Sequence, residues 1–347
     1  MSDHKTVSIA MVGCGAVAEL FHLPSVARSR DCSLALLVEK DVKRGRMLAK
    51  TYRGAAVTEE YRDIKGRADA AVVALPHHLH ETVCSELLAS GVHVLVEKPM
   101  ALSAAQCTTM NEAARSGNAV LAVGLLRRFY PSTVWLHEVI QAKVFGPVTS
   151  FDIQEGFPYN WPVHSDFFLR KETAGGGVLL DTGAHTLDQM LYWFGDVASF
   201  DYYDDSYGGV EADCRLEVAM ASGVRGCVEL SRTRALRNTA IVEFEHVIVE
   251  AALGQDALRL SAKGASMDLV GHGRVATEVM GAPEAKLQKD LFDDQLADFA
   301  AAIRGEAPAR VSGEEAARSI TLIEQCYAAR KPLDLPWLRF EPASGNG

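Results

Sequence analysis

Long apolar runs and dense basic runs are both missing from this sequence of 347 residues. No apolar run approaches the about 18 residues that a transmembrane helix needs, so a membrane-spanning chain is not expected. Acidic residues outnumber basic ones by 45 to 35, which gives a formal net charge of -10. Without a cluster of Lys and Arg, a surface for nucleic acid or anionic lipid is not expected either.

A cysteine framework and a secretory signal are also lacking. The seven cysteines form an odd set with no C-x-x-C pair, and most lie in apolar segments, which is typical of reduced thiols in a core. A strand pattern already begins at Val7, where a signal peptide would still be running. These features predict a cytoplasmic protein, and the length allows about two domains.

The N-terminal residues show a glycine turn between a strand and a helix. The apolar run 7–12 leads directly into Gly13-Cys14-Gly15-Ala16-Val17-Ala18, a G-x-G-x-x-A pattern. The first glycine permits a tight turn, the second lets the backbone approach a pyrophosphate, and the small third residue lets helix and strand pack closely. N–H groups at the start of the helix then face the phosphate charge. The pattern predicts dinucleotide contacts from Gly13, Gly15, Ala16 and Val17.

An acidic residue follows at the spacing expected after such a turn. The run 34–38 is a second predicted strand, and Glu39 ends it, roughly 20 residues beyond the turn. A carboxylate here accepts hydrogen bonds from the ribose hydroxyls of NAD and repels the additional phosphate of NADP. Lys40 beside it would tolerate that phosphate, so NAD is favoured and NADP remains open.

The alternation of strands and helices continues up to about residue 125. A helix is predicted over 78–90, between two apolar runs. Such alternation predicts a Rossmann-type domain, with a doubly wound and mostly parallel sheet, over residues 1–125. The further predicted strands are 70–75, 92–96 and 119–123.

A charged triplet, Glu97-Lys98-Pro99, closes one of these strands. Ligands of open α/β sheets bind at the carboxyl ends of the strands, which is where Lys98 would lie. Partial burial there disfavours the charged form of an ammonium group and makes lysine a usable proton donor or charge. For this residue taken alone, a lysine that merely extends to water is the alternative.

A histidine-rich segment, Leu75-Pro76-His77-His78-Leu79-His80, follows another of these strands. Its three imidazoles would suit zinc, but no cysteine or carboxylate completes a known ligand spacing. A loop that contacts cofactor or substrate is the favoured interpretation, and no metal is expected. The predicted cofactor contacts from these two segments are Leu75, Pro76, His80, Glu97 and Lys98.

After Gly146-Pro147 the alternation of strands and helices gives way to a series of strand-like segments. Several long segments there have strand composition, and turn pairs such as Ser222-Gly223 separate some of them. They predict an α+β domain, residues 126–347, built on a large, mostly antiparallel open sheet. Apolar residues on both predicted faces indicate a broad apolar surface toward a core or a partner. The segments are 148–154, 198–203, 211–220, 224–231 and 239–250.

Within this second half, Gly175-Gly176-Gly177 precedes a predicted helix. On that helix Asp181, His185 and Asp188 are spaced i, i+4 and i+7 and share one stripe. A carboxylate and an imidazole presented together suit proton transfer, because histidine titrates near neutral pH. For the helix alone, a surface pair beside core leucines is the alternative.

Four of these features, taken in order, resemble the glucose–fructose oxidoreductase, inositol dehydrogenase and rhizopine-catabolism (Gfo/Idh/MocA) family. They are the glycine turn, the triplet 97–99, the pattern Gly124-x-x-x-Arg128-Phe129 and the helix 175–188. The resemblance covers nearly the whole chain, including closing helices around 292–303 and 313–329, which in the family return to the nucleotide domain. It implies a pyridine-nucleotide oxidoreductase that acts on a sugar, cyclitol or similar polyol.

The resemblance also implies roles for single residues. Lys98, Asp181 and His185 correspond to the family's catalytic group. His185 would be the acid/base, Asp181 would contact substrate and support or relay the proton, and Lys98 would anchor the reacting oxygen. Hydride passes between a substrate carbon and nicotinamide, so no nucleophile is needed. The predicted substrate contacts are Lys98, Arg128, Trp161, Arg170, Asp181 and His185.

Three alternatives to a simple polyol dehydrogenase stay open. A glycoside would be processed through transient reduction and reoxidation of NAD. A sensor would bind nucleotide and sugar without turnover, although the complete catalytic set argues against that. A sugar-nucleotide or uronate-type enzyme would meet an acidic substrate with basic residues, for which the candidates are Arg127, Arg128, Arg170 and Lys171. For assembly, the family implies a homodimer or homotetramer packed sheet to sheet.

Overall fold

The strands of the protein form two separate sheets, one from each half of the chain. The computed structural model describes residues 5–52, 54–159, 170–207, 209–264, 268–272 and 288–334. The first sheet is parallel and the second is mixed and largely antiparallel. This arrangement confirms the predicted fold class.

The first sheet contains β1 (Val7–Val12), β2 (Cys32–Val38), β3 (Ala56–Thr58), β4 (Ala70–Val73), β5 (His93–Val96) and β6 (Leu121–Val123). Their order is β3-β2-β1-β4-β5-β6, and every neighbouring pair is parallel. The associated helices are α1 (Leu23–Arg28), α2 (Val42–Thr51), α3 (His80–Ala89) and α4 (Ala104–Ser116). A π-helical turn, Ala18–His22, leads into α1. Strand β3 is absent from the sequence prediction, because three residues are too short to show a periodicity.

The direction of chain progression in this sheet reverses between β1 and β4, which are neighbours. At such a switch point the connections leave toward opposite sides and open a crevice at the carboxyl ends of the strands. The glycine turn follows β1, the loop beginning at Ala74 follows β4, and Lys98 lies just beyond β5. The topology therefore brings three predicted site segments to one edge of the sheet.

The second sheet contains β7 (Val148–Gly156), β8 (Val197–Asp204), β9 (Asp213–Met220), β10 (Arg225–Ser231), β11 (Thr239–Phe244), β12 (Val247–Ala252), β13 (Ala257–Ala262), β14 (Asp268–His272) and β15 (Lys331–Pro332). Their order is β14-β13-β12-β11-β7-β10-β9-β8-β15. Neighbours are antiparallel except for β7 with β10 and β8 with β15. The segment 239–250, predicted as one strand, is instead a hairpin of β11 and β12 that turns at Glu245 and His246. No glycine or proline marks that turn, so composition does not reveal it.

One face of the second sheet packs against helices. Phe151 of β7 stacks on Phe194, with ring centroids 4.2 Å apart. Leu216 of β9 is buried, whereas the alternate residues Arg215 and Glu217 pair on the open face. The predicted broad apolar surface thus faces a core, because strand alternation places most of those apolar residues on the side that the helices cover. The helices of this half are α5 (Pro131–Gln141), α6 (Lys171–Ala174), α7 (Val178–Asp181) and α8 (Gly183–Phe194).

Two C-terminal helices, α9 (Gln288–Ile303) and α10 (Gly313–Ala328), return to the helices of the first sheet. Phe292 of α9 stacks on Phe21 at 4.8 Å, and Asp293 pairs with Arg28 at 2.7 Å. Helix α10 contacts both α4 and α8 and so links the two sheets. Within the described ranges no helix is long and apolar enough to cross a membrane. The seven cysteines are all free, and all but Cys227 are buried.

Candidate functional site

The glycine turn after β1 leaves open space beside its backbone. Gly13 has a φ of +82°, and a Cβ there would lie 2.5 Å from the carbonyl oxygen of Ala74. A Cβ at Gly15 would meet no heavy atom of the described residues within 4 Å. Helical backbone begins directly afterwards, at Ala16 and Val17. Backbone N–H groups at a helix start that border free space suit a phosphate-bearing ligand.

Glu39 lies beside this turn and is fixed by backbone N–H groups. Its Oε2 accepts a hydrogen bond from Cys14 N at 3.0 Å, and its Oε1 accepts one from Asp41 N at 3.0 Å. Arg44 completes the corner by donating from Nε to the Cys14 carbonyl oxygen at 2.6 Å. Lys40 is exposed. The structure thus brings Glu39 to the glycine turn, as the spacing predicts.

A fully buried histidine anchors the loop after β4. His80 Nδ1 lies 2.9 Å from the carbonyl oxygen of Pro99, and Nε2 lies 2.9 Å from that of Leu75. Because both ring nitrogens face carbonyl oxygens of the protein, the ring is closed to a ligand. His80 therefore ties the loop to the charged triplet, whereas Leu75 and Pro76 are partly exposed at its start.

Glu97 is held inside the protein and supports the backbone of Lys98. Its Oε1 lies 2.7 Å from His22 Nε2, and its Oε2 accepts a hydrogen bond from Lys98 N at 3.1 Å. Gly124 leaves room for this carboxylate, because a Cβ there would lie 3.1 Å from Oε2. The Glu97 side chain is only 12% exposed.

The Lys98 side chain crosses from the first half of the chain to the second. Its Nζ lies 2.6 Å from Asp181 Oδ1 and 3.2 Å from the Asp181 carbonyl oxygen. Arg232 binds the other carboxylate oxygen, with NH2 2.7 Å from Oδ2. Burial alone would raise the pKa of Asp181, but the charges of Lys98 and Arg232 lower that pKa well below its usual value. Asp181 is therefore ionised at neutral pH, with both oxygens paired.

His185 lies close enough to these groups to respond to their charges. Burial lowers the pKa of His185 well below its usual value, and the positive charges of Arg127 and Lys98 lower it further, against the opposing effect of Asp181. The residue is partly exposed, while its Nδ1 atom is enclosed with no hydrogen-bond partner in the described part of the chain. At neutral pH this imidazole is uncharged and able to accept a proton.

The glycine run explains how Asp181 reaches the site. A Cβ on Gly177 would lie 1.8 Å from the carbonyl oxygen of Glu211, so only glycine fits there. The Glu211 carboxylate accepts hydrogen bonds from Gly177 N and Leu179 N, each at 2.9 Å, and so caps the start of α7. Helix α7 ends at Asp181, and α8 begins at Gly183 after Thr182, whose backbone is also helical.

Asp188 and Arg128 do not belong to the site. Asp188 is 2% exposed, and its oxygens accept hydrogen bonds from Arg128 Nε and NH2 at 2.7 and 2.8 Å. The guanidinium of Arg128 also covers the ring of Tyr192 at 4.0 Å. The structure does not bring Arg128, a predicted substrate contact, to the cluster of Lys98 and Asp181, because its charge is paired within the core. Of the predicted stripe, Asp181 contacts Lys98, and His185 lies near enough for the charge of Lys98 to act on its pKa.

The other basic residues that could meet an acidic substrate lie in two different places. Arg127 donates from NH1 to Glu155 at 2.8 Å, and Thr186 donates to the same carboxylate at 2.7 Å. The positive charge of Arg127 still helps to lower the pKa of His185, although its guanidinium is hydrogen-bonded to Glu155. Arg170 and Lys171 are exposed at the start of α6, which packs against the turn His77–Leu79. Trp161 lies outside the described residues.

Arg232 is a site residue that was not predicted from the sequence. This residue directly follows β10, at the carboxyl end of a strand that was predicted as 224–231. Lys98 was singled out by the same position, but the rule that ligands bind at the carboxyl ends of strands applies to parallel sheets, so it gave no signal for Arg232 in a sheet predicted to be antiparallel.

The histidine loop shows no metal-ligand geometry. His77 Nδ1 lies 3.1 Å from the carbonyl oxygen of Ala174, and burial together with the charge of His80 lowers the pKa of His77 to about 3. Among the described residues, no group of three His, Cys, Asp or Glu is arranged to hold a metal ion. The loop instead borders α6 through this carbonyl contact.

Two family models match the sequence of this chain. The first, described as an oxidoreductase family with an NAD-binding Rossmann fold, matches residues 7–125. The second, the GFO/IDH/MocA C-terminal domain, matches residues 133–249. Both halves therefore match models of one family, in the order that the motifs indicate.

Individual relatives agree with these matches. D-glucoside 3-dehydrogenase of Escherichia coli (strain K12) is 29% identical over 192 residues, which are 54% of this chain and 54% of that protein. The chain thus spans about half the length of the curated relatives it matches. Aldose-aldose oxidoreductase from Caulobacter crescentus, complexed with glycerol, has a TM-score of 0.81 at 23% identity, over 94% of this chain and 97% of that one. Levoglucosan dehydrogenase with NADH and levoglucosan has a TM-score of 0.82 at 17% identity over the same shares. At these identities the two structures share the fold.

The open space at Gly15 generates a test of the dinucleotide site. Gly15→Ala should unfold at the wild-type temperature, because its methyl group meets no described atom. It should weaken NADH binding by roughly tenfold or more, about 1.4 kcal/mol, because the methyl group fills the space beside the helix start. Fluorescence titration with NADH and thermal unfolding measure the two effects.

Gly13→Ala is the matched control for this test. It should lose stability as well as binding, because its Cβ would clash with the Ala74 carbonyl and its φ is strained for alanine. Wild-type NADH affinity in Gly15→Ala would contradict a pyrophosphate site at this turn.

Proposed function

The chain belongs to the Gfo/Idh/MocA family of NAD-binding oxidoreductases, and from that premise we propose that it is a dehydrogenase acting on a CH–OH group of a sugar, cyclitol or related polyol. The observation that carries the proposal is the cluster of Lys98, Asp181 and His185 beyond the carboxyl end of β5. It combines a fixed ammonium group with a neutral imidazole, which are the groups needed to deprotonate a hydroxyl and stabilise its oxygen.

The proposed cofactor is NAD, bound in the crevice at the carboxyl ends of β1 and β4. Gly13, Gly15 and the first helical residues would hold the pyrophosphate, and Glu39 would accept hydrogen bonds from the ribose. Leu75 and Pro76 border the same crevice from the end of β4. Bound NAD would supply the hydride acceptor for oxidation of the substrate carbon.

His185 is the proposed acceptor of the hydroxyl proton. Its imidazole is neutral at pH 7, and because Nδ1 is enclosed, Nε2 is the atom assigned to take the proton. Lys98 stabilises the substrate oxygen as the proton leaves, since an ammonium group favours developing negative charge. In the reverse direction the imidazolium of His185 returns the proton to that oxygen.

Asp181 is proposed to orient Lys98 rather than to carry a proton. Both of its oxygens are paired with cations, at 2.6 and 2.7 Å. Because each oxygen is held by a cation, neither is free to take a proton from the substrate. Of the two roles implied by the resemblance, support and relay, the pairing favours support.

A neutral polyol is the favoured substrate class. The relatives named above are described with a glucoside, an aldose and levoglucosan. An acidic substrate would need unpaired basic residues, but the charges of Arg127 and Arg128 are paired inside the protein. Of the basic candidates for such a substrate, Arg170 and Lys171 remain. Glycoside processing through transient oxidation remains a second candidate, because a glucoside dehydrogenase is among the relatives.

An absorbance screen for NADH formation tests the proposed function. The purified chain should reduce NAD in the presence of at least one member of a panel of inositols, free sugars, sugar acids and glycosides. Net NADH with a free polyol supports a simple dehydrogenase, whereas glycoside breakdown without net NADH supports the transient-redox candidate. Tight binding of NAD and sugar with neither product would favour a sensor.

Cofactor choice depends on Glu39 in this account. Glu39→Ala should weaken NAD binding by roughly 1–3 kcal/mol, because the ribose hydroxyls and Cys14 N lose their acceptor. Discrimination against NADP should fall at the same time, since the repelling carboxylate is gone. Isothermal titration with both cofactors measures this, and Lys40→Met is the control on the neighbouring residue. Preference of the wild type for NADP would contradict the assignment.

The proton-transfer assignment predicts different effects for two substitutions. His185→Ala should lower kcat by about 10²–10⁴-fold, the usual range for a positioned acid or base. NAD affinity should stay close to wild type, because the assigned role of His185 is confined to the substrate oxygen. Lys98→Met should lower kcat and also raise KM, since it removes the charge and the anchor together. Steady-state kinetics on the identified substrate measure both, and near-wild-type kcat in both variants would overturn the assignment.

The pKa shift of His185 sets the pH dependence. The base must be unprotonated, and its lowered pKa keeps it so to lower pH than an ordinary histidine. The acid limb of kcat/KM for oxidation should therefore lie below about pH 6.5, the usual histidine pKa. A limb at or above that value would show that His185 is not the titrating base or is protonated in the free enzyme.

The oligomeric state implied by the family remains a prediction. Its proposed interface is the open face of the second sheet, where Ile241 and Ile248 are partly exposed beside charged residues. Light scattering at micromolar concentration separates a dimer or tetramer from a monomer of 37.6 kDa.

A further inference from the structure

Arg232 is fixed between two segments that border the site. Its backbone N–H donates to the Ala212 carbonyl oxygen, and its carbonyl oxygen accepts from Tyr159 N, both at 2.8 Å. Its guanidinium lies over the ring of Tyr159, 5.0 Å from the ring centroid. The side chain is only 11% exposed. Arg232 is therefore held in one place beside Asp181 rather than extended into water.

Two observations argue against a simple packing role for this arginine. Its NH2 group is committed to Asp181 Oδ2, the oxygen that Lys98 does not hold. Its Nε atom is enclosed without a hydrogen-bond partner among the described residues. Leaving a buried charged donor unmatched is costly, so its position requires an explanation beyond packing. The Arg232 side chain thus occupies a position that is unfavourable for Nε and that lets NH2 bind the Asp181 carboxylate.

The charges around the carboxylate have a direct chemical consequence. If Asp181 faced Lys98 alone, the pair would be neutral overall. With Arg232 on the second oxygen, two cations share one anion, and the cluster carries a net charge of about +1. Positive charge then remains available to a substrate oxygen that loses its proton.

We propose that Arg232 is a positioning residue that acts through Asp181: it holds the carboxylate ionised and aligned, so that Lys98 keeps both its orientation and its effective charge toward the substrate oxygen. This inference rests on the function proposed above and adds a residue that the catalytic assignment lacks. Arg232 contacts neither hydride nor proton in this account. Arg232 affects the reaction only through its contact with Asp181, which in turn contacts Lys98.

A double-mutant cycle between Arg232 and Asp181 tests the proposal. In the wild-type background Arg232→Met should lower kcat at least about tenfold, with KM changed far less, somewhat below the roughly 10²–10³-fold loss on removing a direct oxyanion donor. In the Asp181→Asn background the same change should alter kcat less than about twofold, because the group through which Arg232 acts is already neutral. Equal losses in both backgrounds would show that Arg232 acts on the substrate directly, which overturns the proposal.

A rescue variant separates positioning from general loss of structure. Arg232→Met should lower kcat at every pH, while the acid limb, which His185 sets, should stay at its wild-type position. Arg232→Lys returns a cation to Asp181 and should restore part of kcat with little change in KM. A loss of kcat that Arg232→Lys does not restore and that accompanies a lower unfolding temperature would show a merely structural role, and that result also overturns the proposal.

Arg237→Met is the matched control, because Arg237 pairs with Asp152 away from the catalytic cluster. Its kcat and acid limb should match the wild type. Failure of the proposed function would appear differently, as absence of hydride transfer by the wild type across the whole substrate panel. Failure of the present inference would appear as an active wild type whose Arg232→Met variant keeps its kcat.

Discussion

The ion pair between Lys98 and Asp181 is the contact on which the candidate site depends. Lys98 lies beyond a strand of the parallel sheet, and Asp181 ends a short helix of the second half. At 2.6 Å the pair joins the two halves of the chain at the edge where the glycine turn also lies. Helix α10 contacts α4 of the first half and both α7 and α8 of the second, so it holds the two halves together around this contact. The pair can therefore form in one fixed geometry, which catalysis by positioned groups requires.

The electrostatic state of the site is opposite to that of the chain as a whole. The sequence carries a formal net charge of -10, yet Lys98, Arg127 and Arg232 surround His185 and Asp181. Lys98 and Arg232 lower the pKa of the carboxylate against the effect of burial, whereas burial, Arg127 and Lys98 together lower the pKa of the imidazole. The result is an ionised Asp181 beside a neutral His185, two states that suit support and proton acceptance respectively.

Short sequence patterns were sufficient to predict the position of site residues that directly follow a recognisable strand. The glycine turn, Glu39 and Lys98 each follow a recognisable strand, so their meeting at one sheet edge follows from the topology of a doubly wound fold. The pairing of Arg128 with Asp188 and of Arg232 with Asp181 could not be predicted, because each pair joins residues more than about 50 positions apart whose contact depends on tertiary packing. The hairpin within 239–250 was hidden for a different reason, since its turn lacks the usual residues.

The most direct test of the account is a crystal structure with NADH and the identified polyol bound together. The account predicts that one substrate oxygen lies about 3 Å from both Lys98 Nζ and His185 Nε2, as hydrogen bonds require. Its carbon should face the nicotinamide ring, and Asp181 should remain between Lys98 and Arg232. A substrate oxygen that meets neither Lys98 nor His185, or a nicotinamide on the far side of the glycine turn, would contradict the account.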